Sequence, residues 1–396
     1  MSPRPAIPRR ARQHPRLRIV FAGAAACLAA LAPAVTGTAA TAAVGTDDAT
    51  LQRQLDRLVR ESGGPPGAIA VLRSGNDTRV LRAGVADLAT GRAPRRDDHM
   101  RIASTAKAFS GAVALSLVDR GALGLDDTLR ERLPRLPAAW GSVTLRQLLN
   151  HTSGLPDYTS DAGFLEVVTA DPRHHFDSRR LLDYVADEPL RFTPGSTYEY
   201  SNSDNIAVAL MAEAVTHKPY ERLLSELVYG PLGLRATSLP QGYLIPEPYL
   251  HGYDMNDPGS PEDVSEVLSA SGVWASGGIV STPADMTRFV RGYAGGALYG
   301  GDVLREQRRW IAGASEPAGP GRNTAGLGIF RYSTRCGVVL GHTGNFPGYT
   351  QLVAATPDGR RSLTFSITRQ TNASLDAARL ERLRAVQENF VCALLR

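Results

Sequence analysis

The sequence predicts an α/β fold in which an antiparallel sheet is flanked by helices, and both ends of the chain build one domain around an inserted all-helical domain. Two observations predict this: strand patterns occur at both ends of the chain, and helical segments broken by proline and glycine fill the middle. With 396 residues, 43% of them apolar, the chain can bury a sizeable core. The predicted segments are a leader at 1–42, the two parts of the α/β domain at 43–125 and 283–396, and the helical domain at 126–282.

The excess positive charge belongs to the predicted leader. Six arginines precede residue 19 and no acidic residue precedes Asp47, so removing these arginines turns the net charge from +5 to −1. The rest of the chain offers no electrostatic reason to bind nucleic acid. The apolar stretch 19–35, followed by small residues up to Ala42, is typical of a secretory signal peptide. Because this stretch is short, Ala-rich and interrupted by Pro33, we expect a secreted protein without a stable membrane span.

The predicted leader bears on the export route and on which cysteines the mature protein keeps. The pair Arg9-Arg10 and the residue Cys27 leave twin-arginine and lipoprotein processing open as alternatives to general secretion. Cys27 would be removed with the leader, which leaves Cys336 and Cys392. An even pair in an oxidising compartment predicts one disulfide, and two buried free thiols are the alternative.

The first elements of the α/β domain are a helix and a hairpin. Leucines recur at helical spacing over 51–58, and the Gly-Gly-Pro-Pro run at 63–66 ends the pattern. Strands are predicted at 68–72 and 80–85, joined by a turn-rich connection. The stretch 104–120 is apolar on nearly every side and predicts a buried helix.

The middle and the end of the chain differ in pattern. Helical segments are predicted at 145–149, 178–185, 206–215 and 221–227. An antiparallel meander is predicted from strands at 327–332, 338–341, 349–355 and 363–368. The chain closes with a helix that carries Leu380, Leu383, Val386, Phe390 and Cys392. A disulfide between Cys336 and Cys392 would therefore join the meander to the last helix.

Several kinds of site have no support in the sequence. The chain has no Cys-x-x-Cys, no Gly-Lys pair of a phosphate loop, no His-Glu-x-x-His and no Gly-x-Ser-x-Gly. The pair His174-His175 near Asp177 is interpreted as surface residues and not as a metal site. We therefore expect neither a metal nor a cofactor.

The segment Ser104-Thr105-Ala106-Lys107 carries the main chemical signal. Lys107 and Lys218 are the two lysines of the sequence, against 42 arginines. Residues three apart share a helix face, so Lys107 would lie over Ser104 at the start of the predicted helix. An ordinary helix cap would explain Ser104 but would leave a lysine unfavourably placed against the helix dipole. The functional interpretation uses both residues, with Ser104 as nucleophile and Lys107 as its activator.

Two further motifs mean little separately. Tyr200-Ser201-Asn202 would by itself be read as part of an extended segment after a turn. His342-Thr343-Gly344 follows a run of β-branched residues ending at Gly341, and its side chains would suit a polar or anionic group on a substrate.

Together and in this order, the three motifs resemble the active-site signature of the penicillin-recognising serine hydrolases. The version here is similar to the branch that holds class C β-lactamases, secreted soluble DD-carboxypeptidases, and related esterases and D-aminopeptidases. The segments 149–155, 276–282 and 336–349 also resemble this branch, so the resemblance covers roughly 50–394. His342 in place of lysine, and the cysteine pair, are more similar to the DD-carboxypeptidases.

The resemblance implies a metal-free mechanism through an acyl-enzyme. Ser104 would attack the carbonyl of a D-Ala-D-Ala stem peptide or a β-lactam, and Tyr200 and Lys107 would pass the proton to the leaving group. The backbone N–H groups of Ser104 and Asn345 would form the oxyanion hole. The remaining substrate-binding residues that the resemblance implies are Asn202, which would hold Lys107 and the substrate amide, and His342, Thr343 and Gly344, with a protonated His342 and Thr343 facing the substrate carboxylate.

Two positions depart from the DD-carboxypeptidase pattern. Where those enzymes have a threonine after His-Thr-Gly, this chain has Asn345. Where they have an arginine for the terminal carboxylate, it has Phe330, and Arg331 one residue on would point to the opposite face of a strand. These departures favour neutral acyl substrates.

The sequence thus predicts a monomeric, secreted serine hydrolase that acts on small-molecule or peptide substrates. A D-alanyl-D-alanine carboxypeptidase acting on peptidoglycan stem peptides is the leading hypothesis. An esterase, a D-aminopeptidase or a β-lactamase of the same fold is the alternative, and a non-catalytic penicillin-binding sensor is an alternative of another class. Whether Tyr200 or Lys107 is the base stays open, because the two would titrate as a coupled pair.

Overall fold

The computed structural model describes residues 47–255 and 261–396, so the predicted leader at 1–42 lies outside the described residues. Strands account for much of the chain near both of its ends. The strands in the described residues are β1 (Gly67–Ser74), β2 (Asp77–Gly84), β3 (Met100–Arg101), β4 (Tyr253–Asp254), β5 (Glu262–Asp263), β6 (Val280–Ser281), β7 (Ile311–Ala312), β8 (Arg322–Ala325), β9 (Phe330–Thr334), β10 (Gly337–Phe346), β11 (Tyr349–Ala355) and β12 (Arg361–Ile367).

Eight strands form one antiparallel sheet in the order β2-β1-β12-β11-β10-β9-β8-β7. Strand β1 pairs with β12, the first and last strands of the described residues, with Ala68 opposite Ile367. The meander continues across the sheet, with Phe346 of β10 opposite Tyr349 of β11. The predicted fold class, an antiparallel sheet built from both chain ends and flanked by helices, is confirmed.

Helices cover the sheet and fill the middle of the chain. The α-helices of the described residues are α1 (Asp48–Arg60), α2 (Ala106–Asp119), α3 (Leu129–Arg132), α4 (Leu145–Leu149), α5 (Ala162–Ala170), α6 (Asn202–Thr216), α7 (Tyr220–Leu224), α8 (Gly230–Leu232), α9 (Trp274–Gly277), α10 (Pro283–Gly295), α11 (Gly301–Gln307) and α12 (Ala373–Leu395). The shorter turns are 3-10 helices at Ala103–Thr105, Ala138–Trp140, Tyr158–Ser160, Ser178–Val185 and Ala270–Gly272, and a π-helical turn at Ser225–Tyr229.

The sheet has an apolar layer on each face because its strands alternate. In β1, Ala70 and Leu72 pack with α1 and α12, whereas Ile69 and Val71 face the larger core that contains α2 and α10. The Asp47 side chain caps α1 by accepting from the Thr50 N–H at 2.8 Å. The sheet is thus the middle layer of the molecule.

Helix α2 lies at the centre of the larger core. Its residues from Ala106 to Leu117 are buried, as the apolar pattern of the sequence predicts. Phe109 stacks on Phe289 of α10 with ring centroids 3.6 Å apart, which ties α2 to a helix that packs on the sheet. The rigid packing of α2 fixes the residues that precede it.

A disulfide joins Cys336, in the turn before β10, to Cys392 on α12. It links the meander to the last helix and closes a long loop of chain. In the part of the chain that the structure describes, no helix combines the length and apolar character needed to cross a membrane.

Candidate active site

Ser104 lies in the 3-10 turn at Ala103–Thr105, directly before α2. The sequence placed the helix start at Ser104, but regular α-helix begins at Ala106 because the turn bends the chain, with a positive φ of 52° at Ala103. Ser104 keeps part of its surface exposed, whereas Ala103 and Thr105 on either side are buried. The turn therefore presents one hydroxyl to a pocket.

Lys107 is buried and points at that hydroxyl. Its Nζ donates to Ser104 Oγ at 3.2 Å, to Asn202 Oδ1 at 2.7 Å and to the Ser276 carbonyl at 2.8 Å. These three acceptors satisfy all three N–H groups of an ammonium. Burial lowers the pKa of Lys107 to about 7, and the carboxylates of Asp157, Glu316 and Asp204 act in the opposite direction. Lys107 can therefore gain or lose a proton near neutral pH.

Asn202 begins α6 and is held from its far side. Its Nδ2 donates to Asp157 Oδ2 at 2.9 Å and to Thr159 Oγ1 at 3.1 Å. With Nδ2 committed to these two acceptors, Oδ1 faces Lys107. The Tyr-x-Asn and Ser-x-x-Lys motifs thus meet through this amide.

Tyr200 completes the group around Ser104. Its ring lies under Lys107, with Nζ 4.9 Å from the ring centroid. The hydroxyl is buried and makes no hydrogen bond to any described residue. Burial raises the pKa of Tyr200 well above its ordinary value, with the neighbouring Ser104 hydroxyl opposing this. Tyr200 is therefore a neutral phenol that can donate a proton to a group entering the site.

A buried polar group supports Tyr200 from behind. The His151 ring lies against Tyr200 with centroids 4.4 Å apart, and His151 Nδ1 is 2.7 Å from Asp204 Oδ2. The Ser153 hydroxyl also bonds to Asp204. Burial lowers the pKa of His151 to about 3 and raises the pKa of Asp204 well above its ordinary value, so the pair is uncharged. The sequence singled out the segment 149–155 without assigning this role.

Strand β10 closes the site on the other side of Ser104. A side chain at Gly344 would lie 2.4 Å from the Ile102 carbonyl and 3.2 Å from Ala103 Cβ. Only glycine lets the strand lie this close to the turn that carries Ser104. The Asn345 side chain is turned away into the loop that follows β12, since its Nδ2 donates to the Thr371 carbonyl at 2.7 Å.

His342 and Thr343 lie beneath the pocket surface. His342 Nδ1 donates to the Thr343 carbonyl at 2.6 Å, its Nε2 has no partner among the described residues, and Phe330 packs edge-on against its ring. Burial lowers the pKa of His342 to about 3, so this ring is neutral. The Thr343 hydroxyl donates to the Pro317 carbonyl at 2.6 Å. Burial therefore disfavours the protonated His342 that the resemblance implied.

The pocket beside Ser104 has an uncharged lining. No Asp, Glu, Lys or Arg is among its described lining residues. Those residues are Ala103, Ser104, Thr159, Tyr200, Asn202, Val273, Ser276, Gly277, Asn345, Phe346, Pro347 and Gln370. The structure thus brings Ser104, Tyr200, Asn202 and Asn345 to one pocket, with Lys107 behind them and Gly344 packed on the serine turn. Within 47–255 and 261–396, no cluster of three or more His, Cys, Asp or Glu residues is arranged to hold a metal ion.

A serine and a buried lysine at the edge of a large antiparallel sheet define a serine hydrolase of the penicillin-binding type. The chain belongs to the β-lactamase family, whose model matches residues 53–388.

Curated relatives carry several activities. Penicillin-binding protein 4* of Bacillus subtilis is 26% identical over 312 residues, which cover 75% of this chain and 67% of that protein. The D-alanyl-D-alanine-carboxypeptidase/endopeptidase AmpH of Escherichia coli is 30% identical over 257 residues, 63% of this chain and 62% of the relative. Esterase EstB of Burkholderia gladioli is 34% identical over 227 residues, which cover 54% of this chain and 56% of that protein. The chain spans between about half and two thirds of the length of these relatives.

Solved structures cover more of the chain. A D-stereospecific amidohydrolase from Streptomyces sp. is 29% identical with a TM-score of 0.72 and covers 85% of this chain and 98% of its own. The D-amino acid amidase of Ochrobactrum anthropi SV3, complexed with L-phenylalanine amide, is 25% identical with a TM-score of 0.75. It covers 86% of this chain and 97% of its own. These neighbours share the arrangement of sheet and helices along nearly their whole length.

Proposed function

We propose that the protein hydrolyses amide or ester bonds through an acyl-enzyme on Ser104. The observation that carries this proposal is the contact between Lys107 Nζ and Ser104 Oγ at 3.2 Å, in a site where Lys107 is buried and held by Asn202 and Ser276. A serine hydroxyl needs a neighbouring proton acceptor to become a nucleophile, and a lysine serves when burial lowers its pKa.

Lys107 is the base in this proposal and Tyr200 is the acid. Neutral Lys107 takes the proton of Ser104 as Oγ bonds to the substrate carbonyl carbon. The carbonyl oxygen becomes an oxyanion that the N–H groups of Ser104 and Asn345 stabilise. The oxyanion then re-forms the carbonyl, the bond from its carbon to the leaving nitrogen or oxygen breaks as Tyr200 protonates that atom, and the proton on Lys107 restores the phenol. The raised pKa of Tyr200 and the lowered pKa of Lys107 support this division of roles. Water completes the cycle by hydrolysing the acyl-enzyme.

The substrate class follows from the charge of the pocket. A D-Ala-D-Ala peptide ends in a carboxylate, which needs a positively charged or hydroxyl partner. His342 is neutral, the Thr343 hydroxyl is bound to Pro317, and Phe330 stands at the position of the expected arginine. We therefore place uncharged amides and esters of D-amino acids first, in keeping with the esterase and amidase among the relatives.

The D-alanyl-D-alanine carboxypeptidase predicted from the sequence remains the second candidate. The His-Thr-Gly motif on β10 and the similarity to the carboxypeptidase AmpH favour it. Both candidates proceed through an acyl-enzyme on Ser104 and differ in the acyl group and in the leaving group. We propose an exported monomer in either case, which the predicted leader and the disulfide support.

Intact-mass spectrometry of the mature protein tests the nucleophile, and turnover assays test the substrate class. A fluorescent penicillin should add to wild-type protein and not to Ser104→Ala, whereas labelling of Ser104→Ala would refute the nucleophile. Turnover is then compared for a D-amino acid amide, a neutral aryl ester and a D-Ala-D-Ala peptide. We expect hydrolysis of the amide and the ester. Release of D-Ala at a higher kcat/KM than either would instead establish the carboxypeptidase.

A further inference from the structure

Asp157 is hydrogen-bonded to Asn202, which in turn bonds Lys107. Its Oδ2 accepts from Asn202 Nδ2 at 2.9 Å and from the Asn202 backbone N–H at 3.2 Å. Its Oδ1 accepts from the Thr159 N–H at 3.0 Å and the Thr159 hydroxyl at 2.8 Å. All four donors come from the protein, so Asp157 has little capacity left to bind substrate directly.

These contacts decide which way the Asn202 amide faces. The Thr159 hydroxyl gives its hydrogen to Asp157, so toward Asn202 it can only accept. Asn202 Nδ2 therefore meets two acceptors, Asp157 Oδ2 and Thr159 Oγ1, and Asn202 Oδ1 is left to face Lys107 Nζ at 2.7 Å. A reversed amide would set its N–H groups against the N–H groups of Lys107 and lose three hydrogen bonds.

We infer that Asp157 is a positioning residue of the reaction, which orients Asn202 toward Lys107 and adds a negative charge behind it. The inference rests on the proposed function and adds to it a residue that does not line the pocket beside Ser104 but lines a neighbouring pocket that shares Tyr200. The Ser201 side chain does not cap α6, and Asp157 bonds the first N–H of that helix in its place. The proton affinity of Lys107 therefore reports on the negative charge of Asp157, and the rate of the reaction reports on the orientation of Asn202.

The charged groups around Lys107 are few and come from separate elements. The carboxylates that raise the pKa of Lys107 are those of Asp157, Glu316 and Asp204. The other groups that face Lys107 are uncharged: Ser104, Asn202, the Tyr200 ring and the Ser276 carbonyl. Replacing Asp157 by asparagine removes the carboxyl group that raises the pKa of Lys107 most, with little change of shape. The pKa of Lys107 should therefore fall in Asp157→Asn.

The chain allows a direct measurement because it has only two lysines, Lys107 and Lys218. NMR of protein carrying 13Cε-lysine gives one signal for each, and Lys218, paired with Glu226 at 2.6 Å on the surface, serves as the internal reference. We expect the titration midpoint of Lys107 to move to lower pH in Asp157→Asn. The matched control is Asp161→Asn, which removes a nearby charge that caps α5 and does not contact Asn202. An unchanged midpoint in Asp157→Asn, or an equal shift in Asp161→Asn, overturns the inference.

Kinetics provide a second measurement that does not depend on a fully stable variant. Thr159→Val removes one acceptor from Asn202 Nδ2 without changing any charge. We expect kcat to fall about tenfold or more in Asp157→Asn and less in Thr159→Val, with KM nearly constant in both, because the lost interaction acts on the transition state. The loss in Asp157→Asn should largely disappear in an Asn202→Ala background, and full additivity of the two losses overturns the inference. Turnover by Ser104→Ala would refute the proposed function alone, since the Lys107 titration needs no turnover.

Discussion

Phe330 packs edge-on against His342, with the ring centroids 5.0 Å apart and the planes at 76°. The two residues lie diagonally across adjacent strands, since Phe330 is opposite Gly341, the residue before His342, in the register of β9 and β10. The contact keeps water from the imidazole, and burial lowers the pKa of His342 to about 3. A neutral His342 gives the site no positive charge here, so we expect the pocket to favour uncharged substrates.

The first prediction concerns a substrate pair that differs only in its terminal charge. We expect kcat/KM for cleavage of the acyl–D-Ala bond to be higher in an acyl-D-Ala amide than in the same compound with a free carboxylate, because the pocket lining carries no positive charge for the carboxylate. A hydrogen bond to a charged group is worth about 1.5–3 kcal/mol, so Phe330→Arg should improve the acid relative to the amide by about tenfold or more. Phe330→Leu is the apolar control. Preference of the wild type for the acid would contradict the prediction.

The second prediction concerns pH. Lys107 accepts the Ser104 proton only when neutral, so kcat/KM should rise as pH increases through the Lys107 pKa of about 7 and then level off. Glu316 is close enough to couple with it, since burial raises the pKa of Glu316 to about 7 while Lys107 opposes that shift. Glu316→Gln removes a charge that raises the pKa of Lys107, so the rise should move to lower pH. His342→Gln should leave the pH of this rise unchanged. A wild-type profile that is flat between pH 5 and 9 would count against Lys107 as the base.

The third prediction concerns the approach of β10 to the serine turn. A methyl group at residue 344 would lie 2.4 Å from the Ile102 carbonyl, so Gly344→Ala must move the strand away from Ser104. A displacement of about 1 Å at a reacting group costs about 100-fold in rate, and we expect a loss of that size in the rate of acylation by penicillin. Gly301→Ala is the control, because its methyl group would meet nothing closer than 3.7 Å, at a flexible arginine. An acylation rate equal to that of the control would show that the close contact is unimportant.

The site residues that could be predicted from the sequence are those that lie within short motifs. Ser104 and Lys107 are three residues apart, so one helical turn determines their contact, and the spacing alone reveals it. The β1–β2 hairpin, α1, α2 and the β10–β12 meander were also predicted, because their apolar residues recur with a clear period.

Other features depend on residues far apart in the chain or on weak local patterns. Asp157 meets Asn202 across 45 residues, and no local pattern indicates that contact. The lowered pKa of His342 comes from burial, to which Phe330 contributes, and neither residue reveals this by its type. The segment Ser178–Val185 has helical spacing but forms a 3-10 helix, and the two-residue strand β7 is too short to show a period.

The last prediction concerns the disulfide between Cys336 and Cys392. It closes a loop between residues 56 apart in the sequence, so the double variant Cys336→Ser/Cys392→Ala should lose about 2–4 kcal/mol of unfolding free energy. The acylation rate should not change, because Cys336 lies at the opposite end of β10 from Asn345, about 30 Å away at 3.3 Å per residue. Urea unfolding and penicillin labelling of the same samples measure the two effects. The control is Cys336→Ser alone, which breaks the bond but leaves the buried Cys392 thiol in place, and should lose nearly as much stability as the double variant. Unaltered stability in both variants, or slower acylation in a variant that remains folded, would contradict this separation of the disulfide from the site.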